Sequence, residues 1–157
     1  MQDISLSSDR LNEDQALALA DCDDTATLMD AAGALRDQYH HNVITYSRKV
    51  FIPLTHLCRD VCHYCTFAQT PKKLPQAYMQ IEQVLELCQQ GAEAGCQEAL
   101  LTLGEKPELR YKAARQALDE LGFATTLDYV NEVARRILAE TSLLPHINAG
   151  CMTRDEI

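Results

Sequence analysis

Three short apolar runs between residues 50 and 148 alternate with longer amphipathic stretches. The runs are Val50–Leu57, Ala99–Leu103 and Leu143–Asn148, and each is followed by polar or glycine-containing sequence. Apolar runs of this length, bounded by turn residues, are typical of buried strands. Strands that alternate with helices predict a parallel sheet, so the sequence indicates an α/β fold.

The helices between these strands follow from apolar positions that recur every three or four residues. One helix is predicted over Gln76–Ala94, and Gly95 suits the position after its last turn. Two more helices, Glu108–Leu121 and Leu127–Glu140, are predicted with no strand between them, the second capped by Thr126. We therefore expect this pair to form an extended crossover between the second and third strands.

The sequence before the first strand predicts a helical extension over 1–42 that precedes a core over 43–157. The predicted elements here are a frayed segment over 1–10, a helix capped near Asn12 and ending at Ala20, a helix over Asp24–His40 and a short strand over Val43–Ser47.

Composition excludes several classes of protein. A net charge of -9 argues against binding to nucleic acid or to an anionic membrane, because phosphate recognition needs clustered Lys and Arg. No apolar run approaches the roughly 20 residues of a membrane span, and the first residues lack the pattern of a secretion signal. The odd number of cysteines, 7 in all, favours a reducing cytoplasm over a disulfide framework.

Three of the cysteines lie in one short loop. Cys58, Cys62 and Cys65 have the spacing C-x3-C-x2-C and follow the first predicted strand, at the edge where open α/β folds keep their chemistry. Thiolates are soft ligands that suit an iron–sulfur cluster or zinc. A cubane cluster held by three cysteines has one iron without a protein ligand, which is then open to a substrate or cofactor.

A structural zinc site is the alternative, with His56 or His63 as the fourth ligand. Such sites usually combine two separated ligand pairs, and no second C-x2-C follows in this sequence. The spacing therefore favours an iron–sulfur cluster.

The octet Cys58–Cys65, with Tyr64 before its last cysteine, resembles the signature of the radical S-adenosylmethionine enzymes. The wider stretch Val50–Phe67, VFIPLTHLCRDVCHYCTF, is similar to the 7,8-didemethyl-8-hydroxy-5-deazariboflavin synthases of that superfamily (subunit 1 type). The resemblance implies a 4Fe-4S cluster held by Cys58, Cys62 and Cys65. It also implies S-adenosylmethionine on the open iron, which is cleaved after electron transfer to give a 5′-deoxyadenosyl radical.

The resemblance further implies cofactor-binding residues. Tyr64 would lie beside the adenosyl group, and Gly104 and Glu105, with Thr102 just before them, would receive the cofactor's ammonium group. Leu103 departs from the family pattern, which has a glycine there. The alternative for this segment is a solvated acidic loop.

The stretch PHINAG, residues 145–150, resembles the same family and implies that Asn148 points into the site. A polar strand end without a role in binding is the alternative for this asparagine.

The fold implied by the resemblance is a partial barrel of six βα units. An eight-unit barrel needs about 250 residues, so we expect 157 residues to hold the first half of the barrel and the chain to be an N-terminal fragment or a truncated gene product.

The implied activity is ring closure of an adduct of a 4-hydroxybenzyl group and a ribityl-diaminouracil, with release of ammonia, to give the deazaflavin chromophore. The implied partners are a ferredoxin or flavodoxin as electron donor and a tyrosine-cleaving radical enzyme that builds the adduct. The alternatives are that tyrosine-cleaving enzyme itself, another enzyme of the superfamily, or a cluster- or zinc-binding module without catalysis.

Overall fold

A computed structural model describes residues 10–157, so the predicted frayed segment over 1–10 lies, apart from its last residue, outside the described residues. The chain divides into two compact units, one ending at Tyr46 and the other beginning at Ser47. Over the described residues, none of the helices combines the length and apolar character needed to cross a membrane.

The first unit contains helices α1 (Glu13–Ala20) and α2 (Thr25–His40), which confirms the two predicted helices. Asn12 caps α1: its side chain accepts a hydrogen bond from the Gln15 backbone and its backbone donates to the Gln15 side chain. Asp24 caps α2 through the backbone N–H of Thr27, at 3.1 Å.

The predicted strand over Val43–Ser47 is wrong, since residues 43–48 have no regular secondary structure. Ile44 is 88% exposed, and the sheet begins only at Lys49, which pairs with Glu98. A strand exists through hydrogen bonds to a neighbouring strand, and the β-branched residues before Lys49 have no such neighbour.

The second unit is built on a parallel sheet whose strands lie in the order β1-β2-β3, which confirms the predicted α/β fold with three parallel strands. Its elements in chain order are β1 (Lys49–Thr55), a 3-10 turn (Pro71–Lys73), α3 (Ile81–Glu93), β2 (Glu98–Leu103), a second 3-10 turn (Pro107–Leu109), α4 (Lys112–Leu121), α5 (Thr126–Glu140) and β3 (Leu144–Asn148).

The core lies on one face of this sheet, under α3 and α5. Ile52 and Leu54 of β1 and Leu101 of β2 are fully buried there. Phe51 points to the other face and is 53% exposed. The fully buried helical partners are Val84 and Cys88 of α3 and Val133 and Ile137 of α5.

Because of tertiary contacts, helix α3 begins later in the sequence than predicted. Helix α3 begins at Ile81, five residues after the predicted Gln76, because the preceding residues run alongside β1. There the Met79 N–H donates to the Leu54 carbonyl at 2.9 Å, and the Thr55 hydroxyl donates to the Ala77 carbonyl at 2.6 Å.

The cap of α5 also differs from the prediction. Thr125 caps the helix through the Asp128 N–H, whereas Thr126 is the first helical residue. The Thr126 hydroxyl is buried and is instead bonded to Glu108, at 2.5 Å, and to Tyr78, at 2.7 Å.

Candidate functional site

The cysteine loop leaves the carboxyl end of β1, as the sequence predicts. Cys58 is half-buried, whereas Cys62 and Cys65 are exposed, and all three thiols are free of disulfides. The first part of the loop is held against the end of β2, whereas residues 61–66 make no side-chain hydrogen bond among the described residues.

Gly104 lets the end of β2 approach the start of the loop. Its N–H donates to the Thr55 carbonyl at 3.0 Å, and a Cβ added at Gly104 would lie 2.0 Å from the Leu57 carbonyl oxygen. No side chain fits at that distance, so only glycine allows this approach. The register between the loop and β2 therefore depends on Gly104.

Two hydrogen bonds at Glu105 fix the first cysteine. The Glu105 N–H donates to Sγ of Cys58 at 3.3 Å, and the Arg59 N–H donates to the Glu105 carbonyl at 2.9 Å. An N–H directed at a cysteine sulfur stabilises a thiolate, and such bonds help to set the properties of iron–sulfur clusters.

Arg59 and Arg110 make a second set of contacts that hold the first part of the cysteine loop. One terminal nitrogen of the Arg59 guanidinium pairs with Oε1 of Glu105, whose side chain is only 11% exposed. Arg110 donates from Nη1 to the carbonyl oxygens of Arg59, at 3.0 Å, and of Asp60, at 3.3 Å. The loop is therefore fixed from Cys58 to Asp60.

Within residues 10–157, no three side chains of His, Cys, Asp or Glu lie close enough together to hold a metal ion. The donor set nevertheless fits a cluster with three thiolate ligands. Cys58 is fixed, while Cys62 and Cys65 lie on an exposed segment whose internal bond is the Cys65 N–H to the Cys62 carbonyl, at 3.1 Å. A shift of that segment towards Cys58 would break no side-chain hydrogen bond among the described residues.

The histidine proposed as a fourth zinc ligand is already engaged. Nδ1 of His56 lies 3.0 Å from the Phe67 carbonyl oxygen, and the centroids of the His56 and Phe67 rings are 4.4 Å apart. His63 is exposed and has no side-chain hydrogen bond among the described residues. The contacts of His56 favour a role in supporting the loop over a role as a ligand.

The other predicted cofactor-binding residues lie at the same edge of the sheet but are not all in contact. Thr102 and Asn148 are register partners on β2 and β3, next to the Gly104–Glu105 segment. Tyr64 is 89% exposed on the outer part of the loop. The structure thus brings Cys58, Gly104 and Glu105 together and leaves Tyr64 apart from them.

A separate polar cluster lies at the opposite end of the strands. Hydrogen bonds from Lys49, His146 and Ser47 lower the pKa of Glu98 to about 2. His146 is therefore bonded to this carboxylate, although its side chain is exposed. The Glu98 carboxylate of β2 thus contacts residues of both β1 and β3, and it lies away from the cysteine loop.

The buried cysteine of α3 behaves as a packing residue. Cys88 is fully buried in the core, and burial raises the pKa of its thiol to about 11. A thiol that resists deprotonation is a poor metal ligand.

Sequence reasoning missed three residues of this site, namely Arg59, Arg110 and Gly150. Arg59 stands inside the cysteine octet, but no pattern marks it as a partner of a glutamate 46 positions later. Gly150 has φ +81°, and a Cβ added there would lie 3.1 Å from Oε2 of Glu105. Only the parallel register of the strands brings these residues together.

A three-cysteine loop at the carboxyl end of the first strand of a parallel α/β sheet is the arrangement that the resemblance to the radical S-adenosylmethionine enzymes predicts. A solved structure, that of the FeFe-hydrogenase maturase HydG from Carboxydothermus hydrogenoformans, has the same fold over 95% of this chain and 32% of its own. The TM-score is 0.65 and the sequences are 22% identical, so this likeness concerns the fold alone.

Within that class the chain is related by sequence to the FO synthases. It is 48% identical to the FO synthase of Nocardia farcinica over 94% of this chain, and 55% identical to that of Streptomyces coelicolor over 71%. It is also 44% identical to the 7,8-didemethyl-8-hydroxy-5-deazariboflavin synthase of Methanopyrus kandleri over 73% of this chain. These matches confirm the resemblance seen in the sequence.

The match covers only part of each relative. The chain spans 18% of the length of the Nocardia protein, 13% of the Streptomyces protein and 34% of the Methanopyrus protein. No protein-family model matches the chain.

Proposed function

We propose that this chain forms the cluster-binding and cofactor-binding part of a radical S-adenosylmethionine enzyme that makes the deazaflavin chromophore. The observation that carries the proposal is the cysteine loop fastened to Glu105, in a chain 48% identical to an FO synthase. In this proposal Cys58, Cys62 and Cys65 hold a 4Fe-4S cluster. The cluster and S-adenosylmethionine together supply the one-electron chemistry that starts hydrogen abstraction.

The residues of the chain would bind and orient these groups. The N–H of Glu105 would support the Cys58 sulfur as one of the three ligands of the cluster. The Glu105 carboxylate offers a negative charge for the ammonium group of the cofactor. Thr102 and Asn148, at the same edge of the sheet, are proposed to contact the cofactor, and Tyr64 to cover its adenosyl group once the loop has closed.

The proposed substrate is the adduct of a 4-hydroxybenzyl group and a ribityl-diaminouracil, and ammonia is the proposed leaving group. An external one-electron donor, a ferredoxin or flavodoxin, and the tyrosine-cleaving enzyme that makes the adduct are proposed partners. The names of the relatives support the deazaflavin product. The substrate and the release of ammonia rest on the family resemblance.

The test is anaerobic reconstitution of the purified chain with iron and sulfide, followed by assays for bound iron, 5′-deoxyadenosine and the deazaflavin product. The FO synthase of Nocardia farcinica is the positive control. The variants C58S, C62S and C65S are each expected to lose the cluster, whereas C151S, at an exposed cysteine outside the octet, keeps it.

The outcomes separate the alternatives. Cluster formation with cofactor cleavage and deazaflavin product supports the full proposal. Cofactor cleavage with tyrosine but not with the adduct indicates the tyrosine-cleaving enzyme. A cluster without cleavage indicates a binding module, and a colourless, zinc-loaded protein overturns the proposal.

A further inference from the structure

Lys106 has a backbone conformation that is unusual for its place in the sequence. Its φ is +35° and its ψ is +54°, in the left-handed region, and it directly precedes Pro107. A residue before proline normally has an extended backbone, and a side chain with a Cβ disfavours positive φ. His41, in the first unit, is the only other non-glycine residue with positive φ among residues 10–157. Lys106 is therefore a strained position in the second unit.

The turn at Lys106 brings two separate supports to the same part of the cysteine loop. Before the turn, the Glu105 N–H donates to Sγ of Cys58, and the Glu105 carbonyl accepts from the Arg59 N–H. After the turn, Arg110 donates to the Arg59 carbonyl at 3.0 Å. An extended backbone at Lys106 would carry Glu105 and Arg110 apart, so the two supports depend on this turn.

One ion pair holds the turn from a distant part of the chain. Nζ of Lys106 donates to both carboxylate oxygens of Glu156, at 2.8 and 2.9 Å, and the Lys106 side chain is only 16% exposed. The carboxylate is itself fixed, because its Oε2 accepts from the Thr153 N–H at 2.7 Å. The bonds from Lys106 and Thr153 lower the pKa of Glu156 to about 2, so the pair is charged at neutral pH. A strained conformation persists where surrounding contacts hold it, and this ion pair is such a contact.

We propose that the Lys106–Glu156 ion pair is a latch, which keeps the left-handed turn in place and thereby holds the Glu105 N–H against the Cys58 sulfur. Lys106 and Glu156 are then positioning residues for the cysteine loop. The inference rests on the proposed function in taking Cys58 as a cluster ligand, whereas the latch itself belongs to the chain without a cluster. It follows that the segment after β3, which carries Glu156, helps to position the first proposed ligand after β1.

Glycine at position 106 distinguishes a latch from an ordinary stabilising ion pair. Glycine adopts the left-handed conformation without the cost that a Cβ brings. E156Q removes the ion pair and leaves the strain, whereas the double variant K106G/E156Q removes both. If the ion pair acts against the strain, the double variant keeps the turn that E156Q loses. E132Q is the matched control, because it removes another ion pair, that of Glu132 with Arg135 on α5.

Hydrogen exchange at the backbone N–H groups of Arg59 and Glu105 is measured by nuclear magnetic resonance on the cluster-free chain. We expect exchange about 10-fold or more faster in E156Q than in the parent, since hydrogen bonds between charged groups no longer hold the turn. The double variant should return close to the parent, and E132Q should exchange as the parent does. Equally fast exchange in E156Q and in K106G/E156Q overturns the inference, as does parent-like exchange in E156Q.

The reduction potential of the reconstituted cluster, followed by electron paramagnetic resonance, tests the consequence for Cys58. Hydrogen bonds to the cysteine sulfurs and nearby charges both set such potentials. An N–H stabilises the additional negative charge of a reduced cluster, so E156Q should have a more negative potential than the parent, and K106G/E156Q should restore it. Loss of the negative charge of Glu156 acts in the opposite direction. A more positive potential in E156Q would therefore be a direct effect of charge and would contradict the positioning role.

The two measurements also separate this inference from the proposed function. If the parent chain loads no cluster under conditions in which the FO synthase of Nocardia farcinica does, the proposed function fails. The exchange rates of the cluster-free variants then still decide whether the ion pair acts as a latch. If the cluster loads and the exchange rates of E156Q match those of the parent, the latch is refuted and the proposed function is untouched.

Discussion

Replacing Gly104 with alanine should separate the cysteine loop from β2. The added Cβ would lie 2.0 Å from the Leu57 carbonyl oxygen and 2.7 Å from Cβ of Cys58. A carbon and an oxygen in contact need about 3.3 Å or more, so the loop has to move by more than ~1 Å. Because both clashing groups belong to the loop that carries the first proposed cluster ligand, the shift acts directly on the proposed cluster site.

The size of the effect follows from the bonds that such a shift breaks. Three hydrogen bonds donated by backbone N–H groups join the loop region to the end of β2: Gly104 N–H to the Thr55 carbonyl, Arg59 N–H to the Glu105 carbonyl, and Glu105 N–H to the Cys58 sulfur. At about 0.5–1.5 kcal/mol each, their loss lowers the free energy of unfolding by roughly 1.5–4.5 kcal/mol. The reconstituted variant should also hold less iron, because Cys58 is displaced.

Two measurements check this prediction: urea unfolding of the cluster-free chain by far-ultraviolet circular dichroism, and iron content after anaerobic reconstitution. G33A is the control, since a Cβ at Gly33 of α2 meets nothing within 4 Å and alanine favours a helix by about 0.5–1 kcal/mol. A G104A chain with the unfolding midpoint and iron content of the parent would refute the claim that this close approach fixes the loop.

Two further predictions concern stability away from the cysteine loop. Y78F should lower the free energy of unfolding by about 0.5–1.5 kcal/mol in urea, because the buried Tyr78 hydroxyl loses its 2.7 Å bond to Thr126. For Glu98, hydrogen bonds from Lys49 and His146 lower the pKa to about 2 from an ordinary value of 4.5. Between these two pH values the unfolded chain binds more protons than the folded chain. The ionised carboxylate therefore stabilises the fold fully above pH 4.5, and this stabilisation is lost as the pH falls to about 2. The stability advantage of the parent over E98Q, followed by urea unfolding at a series of pH values, should therefore shrink as the pH falls from 4.5 to about 2, and a constant difference would contradict the assignment.

The strands and the crossover could be predicted because their signal is local. Each strand is an apolar run bounded by turn residues, and the helices around it have one apolar face. The errors occurred where a distant contact decides the local structure. Val43–Ser47 has the composition of a strand but no neighbour to bond with, and residues 76–80 could have been helical but are tied to β1.

The candidate site was also predictable where its signal is local and not where it depends on distant contacts. Cysteine spacing identifies the proposed cluster ligands, because three ligands of one cluster lie within a single short loop. The supports of that loop come from other parts of the chain: Glu105 stands 46 positions from Arg59, and Gly150 follows a third strand. No sequence period relates these residues, since it is the parallel register that places the ends of β1, β2 and β3 side by side.

This division has a physical consequence for how the site would assemble. Two of the proposed ligands, Cys62 and Cys65, are exposed and make no side-chain hydrogen bond among the described residues, whereas Cys58 is bonded to Glu105 at the end of β2. The Glu105 N–H to Cys58 bond, the contacts between Arg59 and Glu105 and the bonds from Arg110 hold the fixed part of the loop, which ends at Asp60. If the three cysteines hold a cluster as proposed, Cys62 and Cys65 must come closer to Cys58, whereas the contacts between Arg59 and Glu105 need not change.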